Sequence, residues 1–301
     1  MRAIGIDIGG SGVKAAQVGP GGRAEAIGVQ RYDEPTRAHV REAIVAAMGG
    51  AMGEAIDGPR SGDDLRVGLC LPGVFDAKRA VVVQALNLPD LEGVGPGDLL
   101  PGELLERARG VRIVTDARAA AHDVWVRDRL GGRLAAISLG TGVGLSVLDD
   151  GRPLQVCGES PGHLGQIDVG RCGGRSATGP DGGADTLEAF IGLAALRARF
   201  GQRIEAGLDG IGMEEAAMVA LVRALRVVHA IYRPDHVRLL GGVGVRLGPM
   251  IEQIREAVGR GLTRVARPAW TLAAGTSEHH AAMGAARLAL ESAPGSGGVG
   301  L

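Results

Sequence analysis

Asp7 is a charge inside an apolar run, Ala3-Ile4-Gly5-Ile6-Asp7-Ile8, and Gly9-Gly10-Ser11-Gly12 and Lys14 follow at once. A buried carboxylate costs several kcal/mol unless a cation answers it, and a metal ion is one such partner. Glycine permits positive φ and lets backbone N–H groups approach an anion closely, so this turn is suited to cradling phosphate. The spacing excludes two better-known phosphate loops. GxxxxGK[ST] is absent, and no GxGxxG opens a helix, because residues 13–18 continue as strand. A second copy of the pattern occurs at Gly140-Thr141-Gly142, between apolar runs over residues 134–139 and 143–148. One strand, glycine turn and strand in each half implies a duplicated architecture that grips phosphates from both sides. Asp116 follows the apolar run of residues 111–114 and precedes a helical pattern. It reads as a helix N-cap, as a ligand-facing group at the carboxyl end of a strand, or as both.

The elements that must position these groups alternate between strand and helix, which predicts an α/β fold. Strands are expected over residues 23–31, 66–71, 81–83, 111–114, 237–240 and 270–273. Helices are expected over 36–56, 99–109, 117–126, 186–200, 213–232 and 277–290. The strand at 66–71 ends on Pro72-Gly73. A third glycine turn, Gly241-Gly242-Val243-Gly244, follows the strand at 237–240, with Pro249 starting the next helix. Residues 149–185 read as irregular, their latter part too rich in glycine for a core element.

At 301 residues the chain is long enough for two domains. Its 33 basic and 34 acidic side chains nearly cancel, so the balance attracts neither nucleic acid nor an anionic membrane. Lys14 and Lys78 are the only lysines, and one of them stands in the opening hairpin. Cys70, Cys157 and Cys172 are too few and too scattered for a disulfide scaffold, which fits reduced thiols in the cytoplasm. No signal segment or membrane-spanning run is visible.

Together the motifs resemble a known family. Gly5-Ile-Asp-Ile-Gly-Gly-Ser-Gly-Val-Lys14, Leu139-Gly-Thr-Gly-Val-Gly144 and Leu240-Gly-Gly-Val-Gly244 look like the phosphate and adenosine motifs of the actin and hexokinase-like ATPases. Asn87-Leu-Pro-Asp-Leu91, Thr115-Asp116-Ala-Arg-Ala-Ala120 and Leu187-Glu-Ala-Phe-Ile-Gly192 resemble sugar-binding and catalytic segments of the ROK family of sugar kinases and repressors. The resemblance implies a two-lobed, ribonuclease H-like α/β kinase with duplicated mixed-sheet lobes. The smaller lobe would be residues 1–117 completed by a C-terminal helix at about 278–301, and the larger 118–277. ATP and a hexose would meet in a cleft. Asp116 would be the general base. Asp7 would hold the Mg²⁺ shell, through water. Gly9, Gly10, Ser11, Gly12, Lys14, Gly140, Thr141 and Gly142 would face phosphates, with Gly241 and Gly242 under the adenosine. Gly73, Asn87, Gln166 and Glu188 would touch the sugar. A homo-oligomer, dimer or tetramer, is expected.

The chain departs from the family where Glu-x-Gly-His and Cys-x-Cys-Gly-x-x-Gly-Cys would hold a structural zinc and orient the sugar. In the run Gly162 to Val169 the Glu is read as Gln166 and the His as Val169, and downstream only Cys172 remains. No structural zinc is therefore expected. His163 reads as a solvated loop residue, with replacement of a lost sugar contact as the alternative. Two other readings stay open. A sugar-responsive repressor of the same family is disfavoured by a phosphate hairpin that starts at residue 2, which leaves no room for an N-terminal helix-turn-helix. A sugar- or nucleotide-binding protein without catalysis is left open by Gln166 and Val169.

Overall fold

The computed structural model describes residues 1–32, 36–57, 65–76, 78–85, 88–156, 162–201, 203–266 and 269–291. Asn87 and Cys157 lie outside them. The chain divides into two units, Met1–Asp123 with the C-terminal stretch from His279, and Val124–Glu278.

The first unit opens with three antiparallel strands, β1 (Arg2–Gly9), β2 (Gly12–Val18) and β3 (Ala24–Arg31), followed by helices α1 (Arg37–Met48) and α2 (Gly50–Asp57). Strand β4 (Leu65–Cys70) runs parallel to β1. A small hairpin, β5 (Val74–Asp76) and β6 (Val81–Gln84), and short helices α3 (Pro96–Leu99) and α4 (Gly102–Arg107) precede β7 (Val111–Val114) and α5 (Asp116–Arg127). The main sheet has the order β3-β2-β1-β4-β7. Ile4, Ile6 and Ile8 pack with Val40, Ile44 and Met48 of α1 on one face.

The second unit repeats this plan. Strands β8 (Arg133–Leu139), β9 (Val143–Asp149) and β10 (Arg152–Pro153) form the antiparallel half, and α6 (Leu187–Ile191), α7 (Leu193–Phe200), α8 (Ile204–Asp209) and α9 (Ala216–Tyr232) follow. Then come β11 (His236–Leu240), α10 (Gly241–Arg246), α11 (Ile251–Gly261) and β12 (Thr271–Ala274), and the sheet order is β10-β9-β8-β11-β12. Each sheet is thus three antiparallel strands extended by two parallel ones, the duplication that the two glycine hairpins imply. Met218, Leu221 and Leu225 of α9 share a core with Ile137 and Leu139 of β8. The chain then returns to the first unit as α12 (His280–Glu291), whose Ala286 and Ala289 close over Ala3 and Val18. That helix is why β1 is buried on both faces rather than on one.

Several elements differ from the sequence expectation, each at a residue with a reason. The helix expected over 36–56 breaks at Gly49, which takes φ 48°. The one expected over 99–109 breaks at Pro101, whose missing N–H cannot continue a ladder, and the one over 186–200 breaks at the extended Gly192. Gly241 to Gly244 form no turn between strands. They start α10, and Pro249 falls in a short 3-10 segment. Among the described residues no helix is long and apolar enough to cross a membrane.

Candidate functional site

In the first unit the register of the sheet brings the acidic groups together. Asp7 pairs with Lys14 across the hairpin and with Cys70 on the parallel neighbour, and Cys70 pairs with Val114. Asp116 therefore leaves the sheet two residues beyond the row that holds Asp7, at the carboxyl ends of β1, β4 and β7. Ligands of open α/β sheets collect outside such ends. Asp7 is almost fully buried, and Lys14 Nζ lies 3.8 Å from its Oδ2. Burial pushes the Asp7 carboxyl up to about 6; Lys14 pulls it down and Asp116 adds to the rise. The same burial and charges push the Cys70 thiol well up, so it stays protonated.

Asp116 is exposed. Its Oδ1 accepts the Ala117 N–H at 2.7 Å, while Thr115 Oγ1 accepts from the Arg118 N–H at 3.4 Å. Thr115 thus serves as the cap of α5, and Asp116, one residue further in, keeps an oxygen for other work.

The first glycine turn is a tight hairpin in which Gly9 pairs with Gly12 and Gly10-Ser11 form the loop. Sequence reasoning missed Tyr32. Its hydroxyl donates to the Gly9 carbonyl and its N–H to the Ser11 carbonyl at 3.3 Å. Because a trans peptide points C=O and N–H in opposite directions, the Gly9 bond turns the Gly10 N–H away from Tyr32. The pairing of Gly12 with Arg31 places the next residue beside the turn, a register that the local sequence does not give. Gly73 takes φ 79°, with its Cα pressed against the Gln84 carbonyl.

In the second unit Glu188, in the first turn of α6, reaches the other hairpin. Its Oε2 accepts the Val143 N–H at 2.9 Å, and a Cβ on Gly142 or Gly165 would come within 2.7 and 3.0 Å of that oxygen. Gly140 N–H bonds the Gly142 carbonyl at 3.0 Å, and the Gly140 carbonyl accepts from Leu193 at 3.0 Å, which fixes the turn around Thr141. Gln166 is exposed at the end of a 3-10 turn that begins after His163, and Val169 is buried. Gly241, at φ 76°, lies where a Cβ would meet the Leu139 carbonyl at 2.4 Å, while Gly242 is open to solvent. The structure therefore gathers Asp7, Gly9 to Gly12, Lys14 and Asp116 in one unit. It gathers Gly140 to Gly142, Gly165 and Glu188, with Gly241 beside the end of β8, in the other.

Two implied metals can be tested against these residues. Among the described residues no group of three or more His, Cys, Asp or Glu could hold a metal. Magnesium does not need one, since it binds through one or two carboxylates, water and substrate phosphates. Asp7, under-neutralised by a lysine at 3.8 Å and coupled to Asp116, fits that role. Zinc fits poorly at Cys172. That thiol is buried, it is pushed up by burial, and its Sγ lies 3.3 Å from the Gly170 carbonyl and 3.5 Å from a guanidinium nitrogen of Arg223.

A sequence model described as "ROK family" matches residues 3–292. No curated protein matches the chain in sequence. Among solved structures, a ROK family glucokinase from Streptomyces griseus, in complex with glucose and AMPPNP, is 23% identical, with a TM-score of 0.68 over 97% of this chain and 100% of that one. A ROK hexokinase from Thermus thermophilus is 24% identical, with a TM-score of 0.64 over 96% and 98% of the two chains. A ROK family transcriptional regulator, a homologue of the E. coli MLC protein, is 19% identical, with a TM-score of 0.66 over 96% of this chain and 78% of that one. At these identities the likeness shows a shared fold, that of the actin and hexokinase-like sugar kinases.

Proposed function

Because the chain belongs to the ROK family, we propose that it is a sugar kinase, transferring the γ-phosphoryl group of ATP to a hydroxyl of a hexose such as glucose or an N-acyl hexose. The observation that carries this reading is the exposed Asp116 beyond the carboxyl end of β7, electrostatically coupled to the buried Asp7 beside the first glycine turn. Phosphoryl transfer relies on positioning and charge neutralisation, and these groups divide that work. Asp116 accepts the proton of the attacking hydroxyl as its oxygen bonds to the γ-phosphorus and ADP departs. Lys14 and the N–H groups of the turns at Gly9 to Gly12 and at Thr141 and Gly142 hold phosphate oxygens, while the Gly140 N–H is taken by the Gly142 carbonyl and shapes its turn instead. Gly241 and Gly242 leave room for the adenosine. Mg²⁺, held by Asp7 through water, would neutralise charge on the phosphates. Gly73, Asn87, Gln166 and Glu188 orient the sugar.

The packing favours a different register for the sugar segment. Gly165 is the crowded glycine of this segment, with Glu188 Oε2 and the Val143 carbonyl both 3.0 Å from where its Cβ would be, and it can be set against the glycine of Glu-x-Gly-His. That register sets His163 in place of the Glu and Gln166 in place of the His, which moves the departure by three residues. His163 then becomes a sugar contact, and Val169 a core residue.

A panel of hexoses and N-acyl hexoses with ATP and Mg²⁺, read by ADP release, tests the activity. Asp116→Asn should lower kcat by about 10²-fold or more while the circular dichroism spectrum is kept. Near-normal turnover by that variant would remove Asp116 from its role. The regulator reading draws on the MLC homologue, and specific retention of operator-like DNA, with no ADP release on any sugar, would favour it.

A further inference from the structure

Residues 162–186 hold no regular sheet, yet they are tied into one folded excursion. Its base is a pair of antiparallel stretches, in which Leu187 N–H bonds the Ile167 carbonyl at 3.0 Å and Val169 N–H bonds the Asp185 carbonyl at 2.9 Å. This pairing sets Gln166 on one side and Glu188 on the other, each next to a bonded residue. Asp185 strengthens it from within, accepting from Ser176 Oγ at 2.8 Å and from the Ala177 N–H at 2.9 Å. Beyond the base, the tip turns back on itself through two bonds between Cys172 and Arg175, each 3.0 Å.

Besides the core that Val169 and Cys172 share with the long helix α9, one side chain of that helix hydrogen-bonds this excursion directly. Arg223 Nη1 donates to the Val169 carbonyl at 2.6 Å and to the Arg171 carbonyl at 2.8 Å, and it lies 3.5 Å from Cys172 Sγ. Helix α9 is anchored in the core by Met218, Leu221 and Leu225, so the exposed Arg223 reaches the turn from a fixed backbone. Charge-assisted bonds to two carbonyls are roughly twice as strong as neutral ones. A zinc ion on Cys172 would sit about 2.3 Å from the sulfur and so within a few ångströms of a permanent cation. The residues around Cys172 do not fit the metal that the family resemblance implies, and they do offer another way to hold the same turn.

We propose that Arg223 is a positioning residue that replaces a structural metal, clasping the turn Val169 to Cys172 to α9 and thereby fixing Gln166 and Glu188 for the acceptor sugar. Its catalytic consequence rests on the sugar kinase reading. Its structural consequence does not, so the two can fail separately.

The test uses the full chain with Arg223→Met, which keeps the aliphatic stem and removes the donors, and Arg223→Lys, which restores a cation. In Arg223→Met, tryptic cleavage after Arg171 and Arg175 should accelerate about tenfold or more, as the turn opens. The KM for the best sugar should rise about tenfold, while kcat and the KM for ATP stay within about twofold of the wild type. Arg223→Lys should recover most of both effects. The wild-type protein should contain no stoichiometric zinc, and a chelator should leave its cleavage rate unchanged. Stoichiometric zinc whose removal opens the turn would overturn the proposal. So would a Met variant with unchanged cleavage and sugar KM, or one that opens the turn without moving the sugar KM. If the Met variant does not fold, Arg223→Gln, which lacks the charge and the reach, takes its place: a tenfold rise in cleavage and sugar KM supports the clasp, and wild-type values of both overturn it. If no sugar is phosphorylated, the kinase reading fails, and the cleavage and zinc measurements still judge the clasp, with sugar affinity read by calorimetry in place of KM.

Discussion

His229 faces the core from α9 with its ring edge-on to Trp270, the centroids 4.3 Å apart, and neither ring nitrogen has a hydrogen-bond partner. Burial pushes its pKa down to about 4 from the ordinary 6.5. Between these values the unfolded chain binds a proton that the native state refuses, so stability rises with pH across this window. The contribution of the neutral imidazole is complete above about pH 6.5 and is lost as the pH falls towards 4, amounting to about 3 kcal/mol at full extent. His229→Leu should therefore flatten the pH dependence of the denaturation midpoint between pH 7 and 4, measured by chemical unfolding. Parallel curves for the two proteins would show that His229 does not carry the effect. At this scale the sequence is legible where chemistry and spacing are local, as in Asp7, the glycine turn and Lys14. It is silent on Tyr32, Glu188 Oε2 and Arg223, whose partners lie 23, 45 and 54 residues away.

Elements show the same division. The strands and the two glycine hairpins follow from period-two patterns and turn residues, which act over a few positions. The splits at Gly49, Pro101 and Gly192 lie inside segments whose periodicity continues through them, so only the breaker residues betray them. Least legible is the closeness of α12 to its sheet. Cβ atoms built on Gly5 and Gly68 would lie 1.8 and 2.0 Å from carbonyl oxygens of Ala282 and Ala285, and one on Gly284 would lie 1.7 Å from the Ala119 carbonyl. Backbone this close to backbone cannot yield to a methyl group by a side-chain rotation. Gly68→Ala, in the middle of β4 and away from the proposed phosphate and sugar contacts, should cost about 3 kcal/mol or more, because it forces α12 off the sheet. Thermal unfolding of the purified variant measures this. A midpoint within about 2 °C of the wild type would mean that α12 can shift cheaply.

Across the whole molecule, the duplication was readable because each half carries its own strand, glycine turn and strand. The matching sheet orders, three antiparallel strands extended by two parallel ones, repeat that duplication at the level of topology. Where the chain leaves the first unit and re-enters it could not be read so directly, since it depends on Asp123 and His279, ordinary polar residues in helical sequence. In the structure the departure and the return are bound to each other inside the first unit. Asp123 Oδ2 lies 2.7 Å from His280 Nδ1, Asp123 Oδ1 accepts from Arg287 Nε at 2.8 Å, and Arg287 also donates to the Gly22 carbonyl at 2.8 Å. Burial alone would raise the Asp123 carboxyl, but the bonds from His280 and Arg287 outweigh it and hold the group below its ordinary value. The stability it contributes is present above the ordinary carboxylate range and lost as the pH falls through its lowered pKa. Removing one member of a buried ionic cluster costs more than the cluster itself contributes, because the remaining charges stay desolvated. Asp123→Asn keeps the shape and deletes the charge, so Arg287 loses its counter-ion and His280 its carboxylate hydrogen-bond partner. It should destabilise the protein by about 3 kcal/mol, a fall in melting temperature on the order of 10 °C. Because the cluster lies within the first unit, the loss should appear as faster amide exchange in α5 and α12 before any change in α9 or β8. Uniform exchange across all four elements would instead mean that the two units unfold as a single cooperative body.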